Sequence, residues 1–420
     1  MTAPALLEVD GFVAAGFEPV ADALREASDL GAGGAAFAAY VDGRLAVDIR
    51  AGWARPGQPW QDDTVMLIAS VTKGLAALCI ELLNDRGLID MDEKVTTYWP
   101  EYGQNGKQDT TVRMIQMHTC GVIGFPTVHQ LLAWDGTGWD DLAGIAAGLA
   151  AAKPAWEPGT QHGYHAVTYG WLVGELVRRV TGGMTLGQFF ATEYATPLGA
   201  DVHIGATPDV LARMAQVYVS SPDELKGPEK FVMNLVSKRL RGNTLAGQAF
   251  LSDGKASIMD SIDKLLENDK FLTAEVPASN GLATARGLAR SFQVLAQGGE
   301  VDGHRYLSAE SVQEWIKPAA RRGDYILKKS IPFAGVLGLE KKTLLTRTLG
   351  YGANEPAPGA KPAYGPTPQT VAAEGAGGHI MFADPVRRVS VGFVRSQMSG
   401  KHNTSDPLFA ALYSCLDSPK

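Results

Sequence analysis

Strand-like apolar runs lie near both ends of the chain, and apolar positions follow a helical period in the middle. Strand-like runs at 35–41 and 44–50 flank an Asp-Gly dipeptide, which is typical of tight hairpin turns. A second pair of strand-like runs, at 378–383 and 388–395, predicts another hairpin. The two ends of the chain are therefore expected to form one antiparallel sheet.

Apolar positions at helical spacing predict helices near both termini and throughout the centre of the chain. The predicted helices are 20–29, 69–84, 112–118, 131–153, 167–180, 186–196, 257–268, 284–297 and 406–416. This order predicts an α/β (α+β) fold, with an antiparallel sheet flanked by terminal helices and a mainly helical insertion. We expect one discontinuous sheet domain, 1–65 with 280–420, and a helical domain, 66–279, with the functional site at their interface.

Composition narrows the function classes. The 420 residues are 45% hydrophobic and 20% charged, as in an ordinary globular protein with a sizeable core. A net charge of -7 argues against a nucleic-acid or anionic-membrane partner, because such partners select a basic face.

Cysteine usage and the N-terminus suggest a location. The three cysteines are scattered and lack metal-ligand spacing, so we predict no disulfide framework and no metal site. Residues 1–25 lack the basic and apolar regions of a signal peptide, and no apolar run approaches the ~18 residues of a membrane span. We therefore predict a cytoplasmic protein that needs no membrane.

The strongest candidate chemistry lies in the stretch 62–83. Ser70 and Lys73 form an S-x-x-K motif, and residues three apart share one face of a helix. An apolar run precedes Ser70 and an apolar helix follows, so this pair would be held in a dry place. Two further copies, Ser252/Lys255 and Ser261/Lys264, lie in a polar turn and in an amphipathic helix where both side chains are solvated.

A second segment resembles a known family. Tyr164 lies in the run 162–175, which leads into a helix and resembles the segment with the catalytic tyrosine of class C-type serine β-lactamases and family VIII carboxylesterases. Four other segments resemble parts of that family in the same order: 85–90, 118–121, 156–160, and 375–378 followed by 382–385. The resemblance extends over about 35–395.

The resemblance implies that Ser70 is the nucleophile, that Lys73 is a general base or proton shuttle, and that Tyr164 protonates the leaving group or activates water. A serine hydroxyl is a weak nucleophile until a neighbour takes its proton. Lysine or tyrosine can do this near neutral pH only if its pKa is lowered from about 10 by burial or nearby charge. In contact, Lys73 and Tyr164 would titrate as a coupled pair.

The resemblance also implies an oxyanion hole formed by the backbone N–H groups of Ser70 and Ala376. Further residues are expected to line the substrate pocket: His165, Gly375 and Gly377. No cofactor is expected. His162 and His165 form an H-x-x-H pattern, but no third ligand lies nearby, so we interpret them as structural residues or residues of the pocket rim and not as metal ligands.

Two departures from the family pattern concern substrate choice. Ala166 stands where β-lactamases have asparagine, and Ala373 stands where they have lysine or histidine. Both missing side chains help to hold a substrate carboxylate. The sequence therefore favours an uncharged small-molecule ester or a small amide over β-lactams or peptidoglycan.

Three alternatives stay open at this point. The chain could be a β-lactamase or D-alanyl peptidase, an acyltransferase that uses a small-molecule acceptor, or a catalytically idle scaffold of the same fold. The chain has no G-x-S-x-G motif, which argues against an α/β-hydrolase, and no H-E-x-x-H motif, which argues against a zinc hydrolase.

Overall fold

The computed structural model describes residues 7–27, 29–219, 238–252, 262–330, 344–355, 361–398 and 404–418. The strands are β1 Val9–Val13, β2 Gly34–Val41, β3 Arg44–Arg55, β4 Gln58–Pro59, β5 Met66–Leu67, β6 Val202–His203, β7 Tyr218–Val219, β8 Leu282–Ala283, β9 Glu300–Val301, β10 His304–Arg305, β11 Ala320–Gly323, β12 Leu344–Arg347, β13 Gly352–Ala353, β14 Val371–Gly375, β15 His379–Asp384, β16 Val389–Arg395 and β17 Gln397–Met398.

The α-helices are α1 Glu18–Arg25, α2 Thr72–Asp85, α3 Val95–Tyr98, α4 Val112–Gln116, α5 Val128–Leu131, α6 Leu142–Ala151, α7 Thr168–Val180, α8 Leu186–Phe190, α9 Thr196–Leu198, α10 Pro208–Ala212, α11 Leu245–Ala249, α12 Ile262–Leu266, α13 Asp269–Thr273, α14 Ala285–Ala296, α15 Ala309–Ile316, α16 Tyr325–Ser330 and α17 Ser405–Asp417. Two 3₁₀ turns, Ala69–Val71 and Pro100–Gly103, and a π-helical turn, Ala191–Ala195, complete the helical elements.

The main sheet joins the two ends of the chain. Its strand order is β1-β3-β2-β16-β15-β14-β13-β12-β11, with β4 paired to β3, and every neighbouring pair is antiparallel. The central pairing sets Phe37 of β2 opposite Phe393 of β16. Two hairpins that are distant in sequence therefore form the middle of one sheet.

Each face of this sheet is covered by helices. Alternate residues of β2 face opposite sides: Phe37 belongs to the cluster beneath α1 and α17, and Ala38 belongs to the larger core with α2. Helix α14 approaches β16 so closely that a Cβ on Gly392 would lie 2.1 Å from the Ala285 carbonyl oxygen. The small residue brings α14 onto the face of the sheet that also packs against α2.

The predicted fold class, an antiparallel sheet with terminal helices and a mainly helical insertion, is confirmed. The large sheet uses strands within 9–59 and 320–395, and the chain between contributes mostly helices. The domain boundaries at 65/66 and 279/280 stay a prediction. Across the described residues, no helix has the length and apolar character that crossing a membrane requires.

One predicted helix is wrong. The run 131–153 is divided into α5 and α6, because Gly136 and Gly138 both adopt φ of +83° in the loop between them. The indole of Trp139 donates to the Ala133 carbonyl at 2.9 Å, which fixes this loop. Four strands that the pattern did not predict, β1 and β11 to β13, extend the sheet at its two edges.

Candidate active site

Ser70 lies in the 3₁₀ turn that precedes α2, and its side chain is partly exposed. Ala69, immediately before it, has φ of +47°, a conformation that costs a non-glycine residue on the order of 1 kcal/mol. The Thr72 hydroxyl donates to the Ala69 carbonyl at 2.6 Å and accepts from the Gly281 N–H at 3.1 Å. These bonds hold the turn in a strained form that presents the Ser70 side chain.

Lys73 extends from the first turn of α2 beneath Ser70 and is 5% exposed. Its Nζ lies 3.1 Å from Ser70 Oγ and 2.7 Å from each of the carbonyl oxygens of Ala166 and Ala278. A neutral amine has two N–H groups and one lone pair. If the two carbonyls take the two N–H groups, the lone pair faces the Ser70 hydroxyl, which is the arrangement of a general base.

The carbonyl of Ala278 is positioned by a buried asparagine. Asn280 has no exposed surface; its Oδ1 accepts from the Val276 N–H at 3.0 Å, and its Nδ2 donates to the carbonyls of Phe271 and Ala274 at 2.7 and 2.8 Å. The loop before β8 is thus tied to α13 by side-chain bonds. Sequence reasoning missed Ala278, because a backbone carbonyl leaves no signal in the residue type.

Tyr164 lies opposite Lys73, in the loop that leads into α7. The Lys73 Nζ is 4.8 Å from the centroid of the Tyr164 ring. The Tyr164 N–H donates to Asp324 Oδ2 at 2.9 Å, and the neighbouring Gly163 N–H donates to the His118 carbonyl at 3.1 Å. The structure therefore brings together the three predicted catalytic residues Ser70, Lys73 and Tyr164.

The electrostatic environment shifts both titrating groups. Burial lowers the pKa of Lys73; Tyr164 raises it in part, and Arg347 lowers it again. Burial raises the pKa of Tyr164, but Lys73, hydrogen bonding with Ser70 and Lys73, and Arg347 outweigh burial, so its net shift is downward. The Lys73 ammonium thus favours the Tyr164 phenolate, whereas burial and Arg347 favour the neutral amine of Lys73, so the two groups titrate as a coupled pair beside Ser70.

Three buried side chains form the wall behind Tyr164. The His165 N–H donates to His118 Nδ1 at 3.2 Å; His165 Nδ1 lies 2.7 Å from the Gly163 carbonyl and its Nε2 lies 3.2 Å from Cys120 Sγ. Burial lowers the pKa of His165 to about 4 and raises the pKa of the Cys120 thiol to about 11. With 1% of its surface exposed, His165 packs inside this wall and does not present its ring to the site, whereas the sequence predicted it in the pocket lining.

Strand β14 approaches the Ser70 turn at Gly375. A Cβ on Gly375 would lie 2.3 Å from the Ile68 carbonyl oxygen, so only glycine allows this approach. Ala376 follows in an exposed turn, where Gly377 has φ of +96° and packs against Met398. The predicted oxyanion residues Ser70 and Ala376 thus stand on two segments that touch through Gly375.

The two alanines that depart from the family pattern, Ala166 and Ala373, are both packed against neighbouring elements. The Ala166 methyl group is buried, and only its carbonyl reaches Lys73. Ala373 faces α2, where a Cβ on Gly74 would lie 2.7 Å from the Ala373 Cβ. The side chain at 373 therefore packs against the helix of Lys73 and contributes no charge.

The positively charged side chain of Arg347 lies near the site, on a strand that the sequence pattern did not predict. Arg347, at the end of β12, has its Cζ 5.7 Å from the centroid of the Tyr164 ring. No motif marks this position, and only the pairing of β12 in the sheet brings it near Tyr164. Tyr325 packs against Trp156 with 5.7 Å between the ring centroids, whereas Tyr351 is 1% exposed and lies in the core.

The other two S-x-x-K copies lie only partly within the described residues. Ser252 is 4% exposed and donates to the Arg241 carbonyl at 2.9 Å, and its partner Lys255 lies outside the described residues, as does Ser261. Within the described ranges, no group of three or more His, Cys, Asp and Glu side chains could hold a metal ion.

Two solved structures resemble the whole fold. A penicillin-binding protein homologue from Caulobacter crescentus superimposes with a TM-score of 0.77 at 28% identity, covering 97% of this chain and 100% of that chain. A family VIII carboxylesterase superimposes with a TM-score of 0.75 at 30% identity, with the same coverage.

Curated relatives are similar over shorter lengths. Esterase/beta-lactamase LipL of Mycobacterium tuberculosis is 38% identical over 290 residues, which are 67% of this chain and 62% of that protein. Acyltransferase calJ of Penicillium decumbens is 29% identical over 194 residues, which are 40% of this chain and 46% of that protein. The chain thus matches less than two thirds of the length of either relative.

The family itself follows from a match over nearly the full length. The model of the Beta-lactamase family matches residues 20–414, a range that contains the Ser70 turn, the Tyr164 loop and strand β14. The fold and the arrangement of Ser70, Lys73 and Tyr164 agree with the resemblance that these segments carry in the sequence. This chain belongs to the Beta-lactamase family.

Proposed function

We propose that the protein is a serine hydrolase that cleaves small carboxylic esters through an acyl-enzyme intermediate on Ser70. The observation that carries the proposal is the environment of Lys73, whose Nζ contacts two backbone carbonyls and the Ser70 hydroxyl. The solved family VIII carboxylesterase and the relative named esterase/beta-lactamase support this choice of reaction.

Acylation begins when Ser70 Oγ attacks the carbonyl carbon of the ester. The hydroxyl proton passes to Lys73 Nζ or to the Tyr164 oxygen, and the carbonyl oxygen becomes an oxyanion. The backbone N–H groups of Ser70 and Ala376 stabilise that oxyanion in the proposed site. Collapse of the tetrahedral intermediate expels the alcohol, which takes this proton from Tyr164; where Lys73 was the acceptor, Lys73 first passes the proton to the Tyr164 oxygen.

Deacylation reverses these roles. Water replaces the alcohol, and Tyr164 or Lys73 accepts its proton as it attacks the acyl carbon. The tetrahedral intermediate then releases the carboxylic acid, and Ser70 Oγ takes the proton back. No group outside the chain is needed to balance the protons.

A small uncharged ester suits the two departures from the family pattern. At 373 the chain has a methyl group that packs on α2, and at 166 it has a buried alanine. Neither side chain can bind a carboxylate at these positions. A chromogenic cephalosporin should therefore turn over far more slowly than a p-nitrophenyl ester of a short acid.

Acyl transfer is the second candidate, because a relative of this chain is named acyltransferase and others are named Monacolin J acid methylbutanoyltransferase. The two reactions share the acyl-enzyme and differ only in the acceptor. Addition of a small alcohol during ester turnover would yield a new ester if acceptors compete with water. Unchanged acid yield at all alcohol concentrations would leave hydrolysis alone.

Labelling with a fluorophosphonate tests the proposal. Intact mass should show one adduct on the wild type and on Ser252→Ala, the control serine from another S-x-x-K motif, and none on Ser70→Ala. Absence of an adduct on a wild type that circular dichroism shows to be folded would overturn the proposal in favour of an idle scaffold. A cephalosporin turned over faster than the esters would favour the β-lactamase alternative.

A further inference from the structure

Two cations face the same catalytic ring. Lys73 Nζ is 4.8 Å from the centroid of Tyr164, and Arg347 Cζ is 5.7 Å from it. Lys73 is already part of the proposed acid–base pair with Tyr164. Arginine cannot release its proton near neutral pH, so Arg347 is a fixed positive charge.

The backbone holds Arg347 in place from both sides. Its carbonyl accepts from the Ala319 N–H at 2.7 Å, and within the sheet Arg347 pairs with Ala320 of β11 and Gly352 of β13. A residue paired in the middle of three strands has little freedom to move its Cα. The pairing of these strands therefore fixes the backbone position from which the guanidinium extends toward Tyr164.

The turn after Arg347 is anchored on the helix that carries Lys73. A Cβ on Gly350 would lie 2.7 Å from the Ala77 Cβ, so the turn packs directly on α2. The Tyr351 hydroxyl donates to Glu81 Oε2 at 2.9 Å, and burial raises the pKa of this carboxyl well above its usual value. Arg347 and Lys73 are thus positioned by one packed unit.

No carboxylate neutralises Arg347 within the described part of the chain. Its Nε is buried without a hydrogen-bond partner there, whereas Arg113 and Arg213 each pair with an aspartate at 2.6 and 2.7 Å. Arg347 as a whole is partly exposed, but a buried guanidinium N–H without an acceptor is unfavourable. A partner that carries negative charge during the reaction would explain it.

We propose that Arg347 is a positioning residue of the acid–base centre, where its guanidinium holds Tyr164 as the phenolate and Lys73 as the neutral amine. This inference rests on the proposed function. The fixed positive charge would then lie on β12. In β-lactamases the lysine of the sheet motif lies at the position that corresponds to Ala373, on β14 of this chain.

The other groups around the ring leave this role to Arg347. Asp324 accepts the backbone N–H of Tyr164, and His118 lies 5.2 Å from Tyr164 between ring centroids. Burial holds the pKa of His118 well below its usual value, so its ring is neutral, as is that of His165. His162 packs on His118, with 6.2 Å between the ring centroids. Arg347 lowers the pKa of both Tyr164 and Lys73, in agreement with its position.

The test compares pH profiles of kcat/KM for p-nitrophenyl acetate in the wild type, Arg347→Gln and Arg347→Lys. Removing a cation within about 6 Å should raise the pKa of the base by about one unit or more, because nearby charges shift pKa values by 1–3 units. The acidic limb of Arg347→Gln should therefore move to higher pH, with about tenfold lower activity on that limb, and Arg347→Lys should restore most of both. Arg290→Gln is the matched control, since Arg290 Cζ also lies 5.7 Å from a tyrosine ring, that of Tyr40.

A second readout does not depend on turnover. The phenolate absorbance of Tyr164, obtained as the difference between the enzyme and Tyr164→Phe, should titrate at higher pH in Arg347→Gln than in the wild type. An unmoved absorbance titration in a folded Arg347→Gln would overturn the inference. So would an unmoved pH limb with a higher KM for anionic esters alone, because Arg347 would then be a contact for a substrate carboxylate. Failure of the proposed function looks different: the wild type itself would lack the Ser70 adduct.

Discussion

Two buried lysines in this protein have nearly the same surroundings and are proposed to have different roles. Lys107, with no exposed surface, donates from Nζ to the carbonyls of Gln104 and Ala150 at 2.9 Å each, and also to the Ala152 carbonyl. Lys73 also contacts three acceptors, but one of them is the hydroxyl of Ser70. The difference is a single acceptor.

That difference decides what each lysine can do. Three carbonyls use all three N–H groups of an ammonium, so Lys107 has no lone pair to offer and caps the C-terminal end of α6. Two carbonyls leave Lys73 one position that faces Ser70. The rings beside them differ as well: burial raises the pKa of Tyr102, 5.2 Å from Lys107, whereas the pKa of Tyr164 is lowered.

Replacing each lysine by methionine should lower activity strongly at Lys73 and not at Lys107. Lys73→Met should lower kcat/KM for a p-nitrophenyl ester by roughly 10³-fold, within the usual range for loss of a general base. Lys107→Met leaves three buried carbonyls without a donor and should lower the free energy of unfolding by about 1–3 kcal/mol for each one that water cannot reach. Ester assays and urea unfolding of both variants give the two numbers. Equal activity losses in the folded variants would contradict the distinction.

The two tyrosines offer the next test. Tyr164→Phe should reduce kcat/KM by roughly 10²-fold, because it removes the group proposed to protonate the alcohol. Tyr102→Phe should leave kcat/KM near the wild-type value, because its ring lies beside the structural lysine. If Tyr164→Phe retained full activity at all pH values, Lys73 would act alone.

The approach of β14 to the Ser70 turn gives a smaller expected effect. Gly375→Ala places a methyl group against the Ile68 carbonyl, which should push the Ala376 N–H away from the oxyanion. Complete loss of one oxyanion donor costs 10²–10³-fold in kcat, so partial displacement should lower kcat about tenfold. Gly352→Ala is the matched control on the neighbouring strand β13, since its nearest neighbour would lie at 3.4 Å. Equal kcat values for the two variants would argue against Ala376 as an oxyanion residue.

The histidine wall between the two lysines predicts sensitivity to acid. His165 has a pKa of about 4 in the folded protein, against roughly 6.5 when unfolded, so the unfolded chain binds more protons between these values. His165 alone should therefore lower the free energy of unfolding by about 1.4 kcal/mol for each pH unit below about 6.5, until pH nears 4, and His118 and His379, whose pKa values burial also lowers, should add to this fall. Urea unfolding at several pH values should show a smaller slope for His165→Gln. An identical slope in both proteins would mean that His165 is not the group that protonates.

The sequence predicted those residues of the site that belong to short local motifs. Ser70 and Lys73 are one helical turn apart, and Tyr164 stands in a segment with a recognisable pattern. Arg347 and Ala278 escaped prediction for physical reasons. The position of Arg347 depends on the pairing of three short strands. Ala278 contributes only a backbone carbonyl, which any residue type would supply, so the sequence gives no sign of its role.

The fold was predicted to a similar extent. Apolar runs on either side of short turns predicted the centre of the sheet, where β2, β15 and β16 are buried along nearly their whole length. Strand β1 was missed because most of its residues are exposed and its pattern carries no buried face. The single helix expected over 131–153 was predicted from the alanine-rich composition of this run. It does not form because Gly136 and Gly138 adopt positive φ, which ends a helix.

Acid quench of the enzyme during turnover of a p-nitrophenyl ester, followed by peptide mapping, tests the central claim most directly. The account predicts an acyl group on Ser70 in the wild type and in Lys107→Met, with a much slower rise of the same adduct in Lys73→Met. Turnover without any acyl group on Ser70, or the same rate of acylation in Lys73→Met as in the wild type, would contradict it.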